Sequence, residues 1–452
     1  MNVLLISANT MTSTYAIYPL GLDYVAGALQ PKHRVRILDR NLYADPETFR
    51  EAVREAAPEV VGISIRNIDT TDICHSGSAL DGCREVLRSV RSVSSAPVVL
   101  GGCGFTLFPA ELMNRMEADF GIVGEGERFR AFLDVLEEGG DVSSLPGVVL
   151  KGQRVSLPAP WQEEACRAFD SANAHVSFYL QRGGILNLQS KRGCPYECIY
   201  CTYPEIEGRR FRFHDPLAVA REARALQDGG AKFLYFTDSV FNSHEGHSLA
   251  VAKALIRTGV SIPWGGFFAP VPSRENFYRN LADAGLTHVE FGTESLSDRM
   301  LMTYRKPFRT AGVYGAHQQA LKAGVHVAHF FLLGGPGESG DTLEETLAGA
   351  ERLERAVFFF FCGLRIYPGT AIYDVALREG QIAPDSSLLE PTFYQSPEIS
   401  SAEIYRRLQE RSGGRPSWVV GSGGEKTGEI LSRLHGRGHS GPLWEYLIPR
   451  RR

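Results

Sequence analysis

Two successive runs of alternating apolar and amphipathic segments constrain this chain more than any other feature. In the first, NVLLIS, RVRILD, VVGISI, PVVLGG and FGIVGE alternate with LGLDYVAGAL, PETFREAVREAA, DGCREVLRSVRSV and PAELMNRME. Strands separated by helix-length segments pair in parallel, and a parallel sheet needs helices on both faces. Five such strands predict an α/β, doubly wound, flavodoxin-like (Rossmann-like) domain over residues 1–150, with ligands at the carboxyl ends of the strands. The second run reads ILNLQSKRG, KFLYFTDS, IPWGGFFAP, HVEFGTES, VHVAHFFLLGG and VFFFFCGLRIYPG. Six strand–helix units with strands this apolar suit a partial (βα)6 barrel over residues 185–380. Residues 151–184 have no clear period and read as a linker, entered through the hairpin-like GVVLKGQRVSLP. Residues 381–452 form a small C-terminal region of short helical runs.

A chain of 452 residues exceeds one small core, and its 43% apolar and 22% charged content is that of an ordinary globular protein. With 48 basic and 52 acidic residues the net charge is -4, so no global positive field calls for nucleic acid or anionic membrane. No apolar run reaches the ~18 residues of a membrane span, and the first residues lack a basic leader and cleavage site. A cytoplasmic protein is expected.

Three of the eight cysteines crowd into KRGCPYECIYCTYP, directly after the first strand of the second series. In a long cytosolic chain such a cluster reads as a metal site. Cys194, Cys198 and Cys201, spaced C-x3-C-x2-C, can hold three corners of an iron–sulfur cubane. Zinc is the alternative and wants a fourth ligand, for which His214 is the candidate. The top of a barrel strand, where catalytic groups collect, favours the cluster. Lys191 and Arg192 flank the loop and would favour a reduced, negative cluster, whereas Arg209, Arg210 and Arg212 read as solvated surface charge. Cys74, Cys83, Cys103, Cys166 and Cys362 are scattered and read as small buried side chains. His326 and His329, in a barrel strand, read as wall or core histidines.

Three loops at strand ends of the first domain, RNIDTTD, GGCG and GEGE, are built for close approach to a bulky planar or phosphorylated group. Each is equally explained by the turning a βα loop requires.

The cysteine loop and the segments after it resemble the radical S-adenosylmethionine superfamily. The resemblance implies a 4Fe-4S cluster on Cys194, Cys198 and Cys201, its fourth iron chelated by the amino and carboxylate groups of S-adenosylmethionine. Reductive cleavage would then give a 5'-deoxyadenosyl radical. By the same resemblance, Thr237, Asp238 and Ser239 in FTDSVFN would touch the methionine amino group. Glu294 in EFGTES would meet the ribose, Gly334 and Gly335 in LLGGPGES the adenine, and RIYPGT ends the sixth strand. Tyr200 takes the place of an aromatic adenine contact. Tyr200 and Cys362 are candidate catalytic residues, Cys362 as a hydrogen-atom donor, although core packing is its plainer role.

The first domain, through YPLGLDYVAGAL, VGISIRNID, VVLGGCG and GIVGEGE, resembles the cobalamin-binding class of that superfamily. This implies Arg66, Asn67 and Asp69 on the lower face of the corrin, and Gly101, Gly102, Gly104, Gly124 and Glu125 along its nucleotide tail. The Asp-x-His-x-x-Gly motif for an axial histidine is absent, and Cys103 departs from the usual glycine loop. The implied activity is a cobalamin-dependent methyltransferase acting on an unactivated carbon or phosphorus centre of a small molecule, supplied with electrons by flavodoxin or ferredoxin. Alternatives are a non-methylating radical outcome, either a rearrangement or cyclisation or a 3-amino-3-carboxypropyl transfer, and a cobalamin- or cluster-binding sensor.

Overall fold

The computed structural model describes residues 1–12, 16–73, 79–153, 155, 157–163, 166–421 and 423–448; Cys74 lies outside them. Counting only the strands of the two main sheets, the first comprises β1 (Asn2–Ser7), β2 (Arg34–Asp39), β3 (Val60–Ser64), β4 (Val98–Gly101), β5 (Phe120–Ile122) and β6 (Val148–Val149), in the order β2-β1-β3-β4-β5-β6. The first five are parallel, in the flavodoxin-like order, with the switch of direction between β1 and β3. Where the sequence suggests a hairpin, β6 instead pairs antiparallel with β5 and extends this sheet.

The second sheet contains β7 (Ile185–Leu188), β8 (Phe233–Phe236), β9 (Trp264–Phe268), β10 (Leu286–Glu294), β11 (His326–Leu333), β12 (Ala356–Cys362) and β13 (Trp418–Val420), all parallel and in sequential order. The six expected strands are present, and β13, from the C-terminal region, adds a seventh beside β12. The segment read as a linker carries a helix, Ala174–Gln181, whose Val176 and Tyr179 join the barrel core.

Side-chain parity along these strands fixes what faces where. Leu186, Leu234, Val289, Val327 and Phe358 pack outward against the surrounding helices in one large core. The alternate residues face inward: Ile185, Phe233 and Tyr235 on one side, and Ala328, Val357, Phe359 and Val419 on the other, where Trp444 covers them. Helix starts are set locally, as in Pro216–Asp228, where Asp215 caps the Ala218 amide and Pro216 occupies the first turn. Among the described residues no helix is long and apolar enough to cross a membrane.

Candidate cluster and cofactor site

The cysteine loop leaves the top of β7 and is anchored beneath by Asp238. Its carboxylate accepts the Ser190 amide at 2.7 Å and the Lys191 ammonium at 2.9 Å. A two-stranded ribbon, Lys191–Arg192 against Arg212–Phe213, closes the loop at its base. Between them Gly193 adopts φ +84, and a Cβ there would stand 2.1 Å from the Arg210 carbonyl, so glycine is required. Cys194 is buried, whereas Cys198 and Cys201 are half-buried. Burial pushes the bare Cys201 thiol up to about 12 and raises Cys198 as well, so iron binding there is coupled to proton release.

The donor set fits a cluster better than one ion. Among the described residues, the three sulfurs do not all fall within 4.8 Å of one another, whereas ~2.3 Å bonds to a single zinc would draw thiolates closer than that. His214 packs its ring with Tyr24 and joins no ligating group among the described residues.

Beside the loop, Tyr200 donates its hydroxyl to Glu294 Oε1, and Lys306 Nζ reaches the same oxygen at 2.7 Å and the Tyr200 hydroxyl at 3.2 Å. Glu294 holds φ +58 where the β10–β11 register slips, a strained position of the kind found at ligand sites. Burial is the largest influence on the Lys306 ammonium and opposes it, but the Glu294 carboxylate together with Cys198 and Cys201 makes the net shift upward. Lys306 is thus the cation of this site. Lys191 and Arg192 are buried and neutralised, by Asp238 and by Glu125 and Glu127 respectively. Nothing in RKPF marks Lys306 in the sequence; only burial reveals it.

Of the other barrel residues, Thr237 lines the cavity described below, and Ser239 donates to the Gly193 carbonyl at 3.0 Å. Asp238 is fully buried beneath the loop, with both carboxylate oxygens bonded to Ser190. Gly334 has φ +82, and a Cβ on Gly335 would meet the Tyr304 ring at 2.4 Å. Cys362 is 1% exposed and sits in the outward core, the position of a packing residue. His329 is buried and bonded to Thr293 and His317, while His326 is exposed.

A cavity of ≈ 440 Å³ opens between the strand ends of the first sheet and the cysteine-loop side of the barrel. It is lined by Arg66, Asn67, Gly101, Gly102, Cys103, Gly124 and Glu125 from one side and by Asn187, Gln189, Arg192, Tyr203 and Thr237 from the other. Asp69 and Gly104 do not line it. Asp69 is 2% exposed and held by Arg365 at 2.8 Å, and Gly104 packs beneath the Ile65 and Arg66 carbonyls. Glu125 is on the wall, but its carboxylate bonds Arg192, Arg212 and the Trp161 amide. Arg212 is therefore no solvated surface charge; its guanidinium also donates to the Glu207 carbonyl, while Arg209 and Arg210 are exposed. Cys103, read as a buried packing residue, instead opens into this cavity, and Cys166 is also exposed.

Asn67 Oδ1 is buried with no partner among the described residues, as an amide-rich ligand such as a corrinoid would require. Among the described residues lining the cavity there is no histidine, and Arg66 is one of its cations.

A family model described as the B12 binding domain matches residues 6–133, and one for the Radical SAM superfamily matches residues 188–348. The chain carries a B12-binding domain followed by a radical S-adenosylmethionine domain. Its cofactors are a 4Fe-4S cluster, S-adenosylmethionine and cobalamin. Cys194, Cys198 and Cys201 fall within the stretch matched by the Radical SAM model, and Arg66, Asn67 and Gly102 within that matched by the B12-binding model. The tryptophan 2-C-methyltransferase of Streptomyces laurentii is 26% identical over 428 residues, covering 78% of this chain and 71% of that protein. The cytidylyl-2-hydroxyethylphosphonate methyltransferase of Streptomyces wedmorensis is 25% identical over 448 residues, covering 84% and 81%. The fold matches that of the radical S-adenosylmethionine methyltransferase TsrM of Kitasatospora setae, solved with cobalamin and a [4Fe-4S] cluster, with a TM-score of 0.84 at 22% identity over 99% of this chain and 97% of that one.

Proposed function

We propose that this protein is a cobalamin-dependent radical S-adenosylmethionine methyltransferase acting on an unactivated carbon, or phosphorus, centre of a small molecule. The observation that carries this reading is the shared cavity: corrinoid-type loops on one wall, and on the other Tyr203, two residues beyond the last cluster cysteine. When bound, the cluster and corrinoid supply one-electron chemistry on S-adenosylmethionine and a transferable methyl group.

The chain's own residues then bind and orient. Glu294 offers a carboxylate to vicinal hydroxyls, with Lys306 hydrogen-bonded to one of its oxygens. Asp238 fixes the loop from beneath, and Arg192 ties it to Glu125 and Glu127 of the first domain, so both walls of the cavity keep their spacing. Electrons come from a small reductant of the flavodoxin or ferredoxin type. The names of the related methyltransferases support methyl transfer over a rearrangement or aminocarboxypropyl transfer.

The test is anaerobic reconstitution followed by assay of iron, sulfide and cobalt. The reading requires one corrinoid per chain and turnover of S-adenosylmethionine that depends on it. Undiminished turnover without corrinoid would remove the methyltransferase reading.

A further inference from the structure

The inward face of the barrel has a floor and a wall of unusual chemistry. From the C-terminal region, Trp444 Nε1 donates to Glu290 Oε1 at 3.0 Å, and Glu445 pairs with His288 at 3.1 Å. Glu290 Oε2 receives the Tyr235 hydroxyl at 2.7 Å. Both oxygens of the floor carboxylate are therefore committed, and burial pushes its pKa up. The other charged group on the inward strand faces, Glu294, is paired with Lys306. Among the described residues, the strands present no uncompensated charge to the interior.

Aromatic rings line the same inward face, Phe330 and Phe359 packed with Trp444 and Phe267 left open. Phe267, on a central strand, is 37% exposed and meets Tyr235 edge-on at 5.3 Å. Phe330 is register partner to Phe359, their rings 4.8 Å apart and 13° from parallel. Rings stacked along the pairing direction of a sheet turn their edges, not their faces, toward the interior. Ring edges carry the positive end of the aromatic quadrupole and favour the π-face of a guest. One polar group faces them. Asn187, register partner of Tyr235, is 5% exposed and lines the shared cavity, and its side-chain amide has no hydrogen-bond partner among the described residues.

We infer that the part of the substrate entering the barrel is an uncharged, unsaturated ring bearing one hydrogen-bonding group, which Asn187 meets at the boundary with the corrinoid cavity. This rests on the methyl-transfer reading only in calling the guest a substrate. An anionic phosphonate or carboxylate against these strand faces would meet no lysine or arginine from the described strands themselves.

The test uses fully assembled protein and three matched probes: 2-naphthol, 2-naphthyl phosphate and saturated 2-decalol. Binding is measured by equilibrium dialysis at fixed S-adenosylmethionine, with S-adenosylhomocysteine formation scored separately, so that loss of methyl transfer is seen independently of ring binding. The inference expects saturable binding of 2-naphthol, about tenfold weaker binding of 2-decalol, and none of the phosphate. Phe267→Ala and Phe267→Leu should each weaken 2-naphthol about tenfold, and Asn187→Leu should weaken it more than it lowers corrinoid content. Equal binding of the three probes, tight binding of the phosphate, or indifference to both Phe267 variants would overturn it. So would an Asn187→Leu protein that loses corrinoid while keeping its affinity for 2-naphthol.

Discussion

Lys306 Nζ and Glu294 Oε1 lie 2.7 Å apart at the mouth of the barrel, with both side chains less than a tenth exposed. Removing one member of such a pair leaves an uncompensated buried charge at a cost of roughly 3–5 kcal/mol. Lys306→Met is therefore expected to lower the midpoint of denaturant unfolding and to weaken S-adenosylmethionine binding at least tenfold by equilibrium dialysis. Lys306→Arg, which keeps the charge, should retain most of both. Unchanged cofactor affinity in Lys306→Met would show that the pair serves stability alone.

Asp69 and Arg365 make a second buried pair, this one between the first domain and the barrel. Asp69 also accepts the Thr71 amide at 2.9 Å and so shapes the loop that carries Arg66 and Asn67. Asp69→Asn should loosen that loop and reduce corrinoid affinity, measured spectrophotometrically, by about tenfold, while leaving the cluster absorbance intact. A variant that binds corrinoid normally would separate Asp69 from the corrinoid site.

Glu338 gives a pH dependence with a defined sign. It is fully buried, accepts the Gly334 amide and the Thr342 hydroxyl, and burial pushes its carboxyl from 4.5 to about 7. Between these values the folded chain holds a proton that the unfolded chain has released. Stability should therefore fall as pH rises from about 4.5 to about 7, by up to about 3 kcal/mol. Chemical denaturation across that window should show the slope in the natural protein and a flatter one in Glu338→Gln.

Replacing Cys194, Cys198 or Cys201 by Ala is expected to abolish the cluster's visible absorbance and S-adenosylmethionine cleavage together. A variant that kept both would return the triplet to a structural-metal role.

The two βα series were legible because apolar periodicity and helix-length spacing dictate parallel pairing. The seventh strand was not, because WVV is too short to signal a strand outside its place beside β12. The cysteine triplet stands out in the sequence because it is a local pattern of spacing. Lys306 and Asn187 were hidden because their meaning lies in burial and in partners more than ten residues away, or in the lack of any. Asp69 and Glu125 sit in loops whose outline the sequence shows, but their carboxylates face arginines across the domain boundary, which no local pattern encodes. Cys103 escaped because a small apolar thiol looks the same in a core as on a cavity wall.

The most direct measurement of the central claim is mass spectrometry of the products of S-adenosylmethionine from anaerobically reconstituted, corrinoid-loaded protein under strong reduction. S-adenosylhomocysteine is expected together with 5'-deoxyadenosine, both dependent on the corrinoid and on an intact cysteine triplet. Methylthioadenosine in their place, or 5'-deoxyadenosine without S-adenosylhomocysteine, would contradict it.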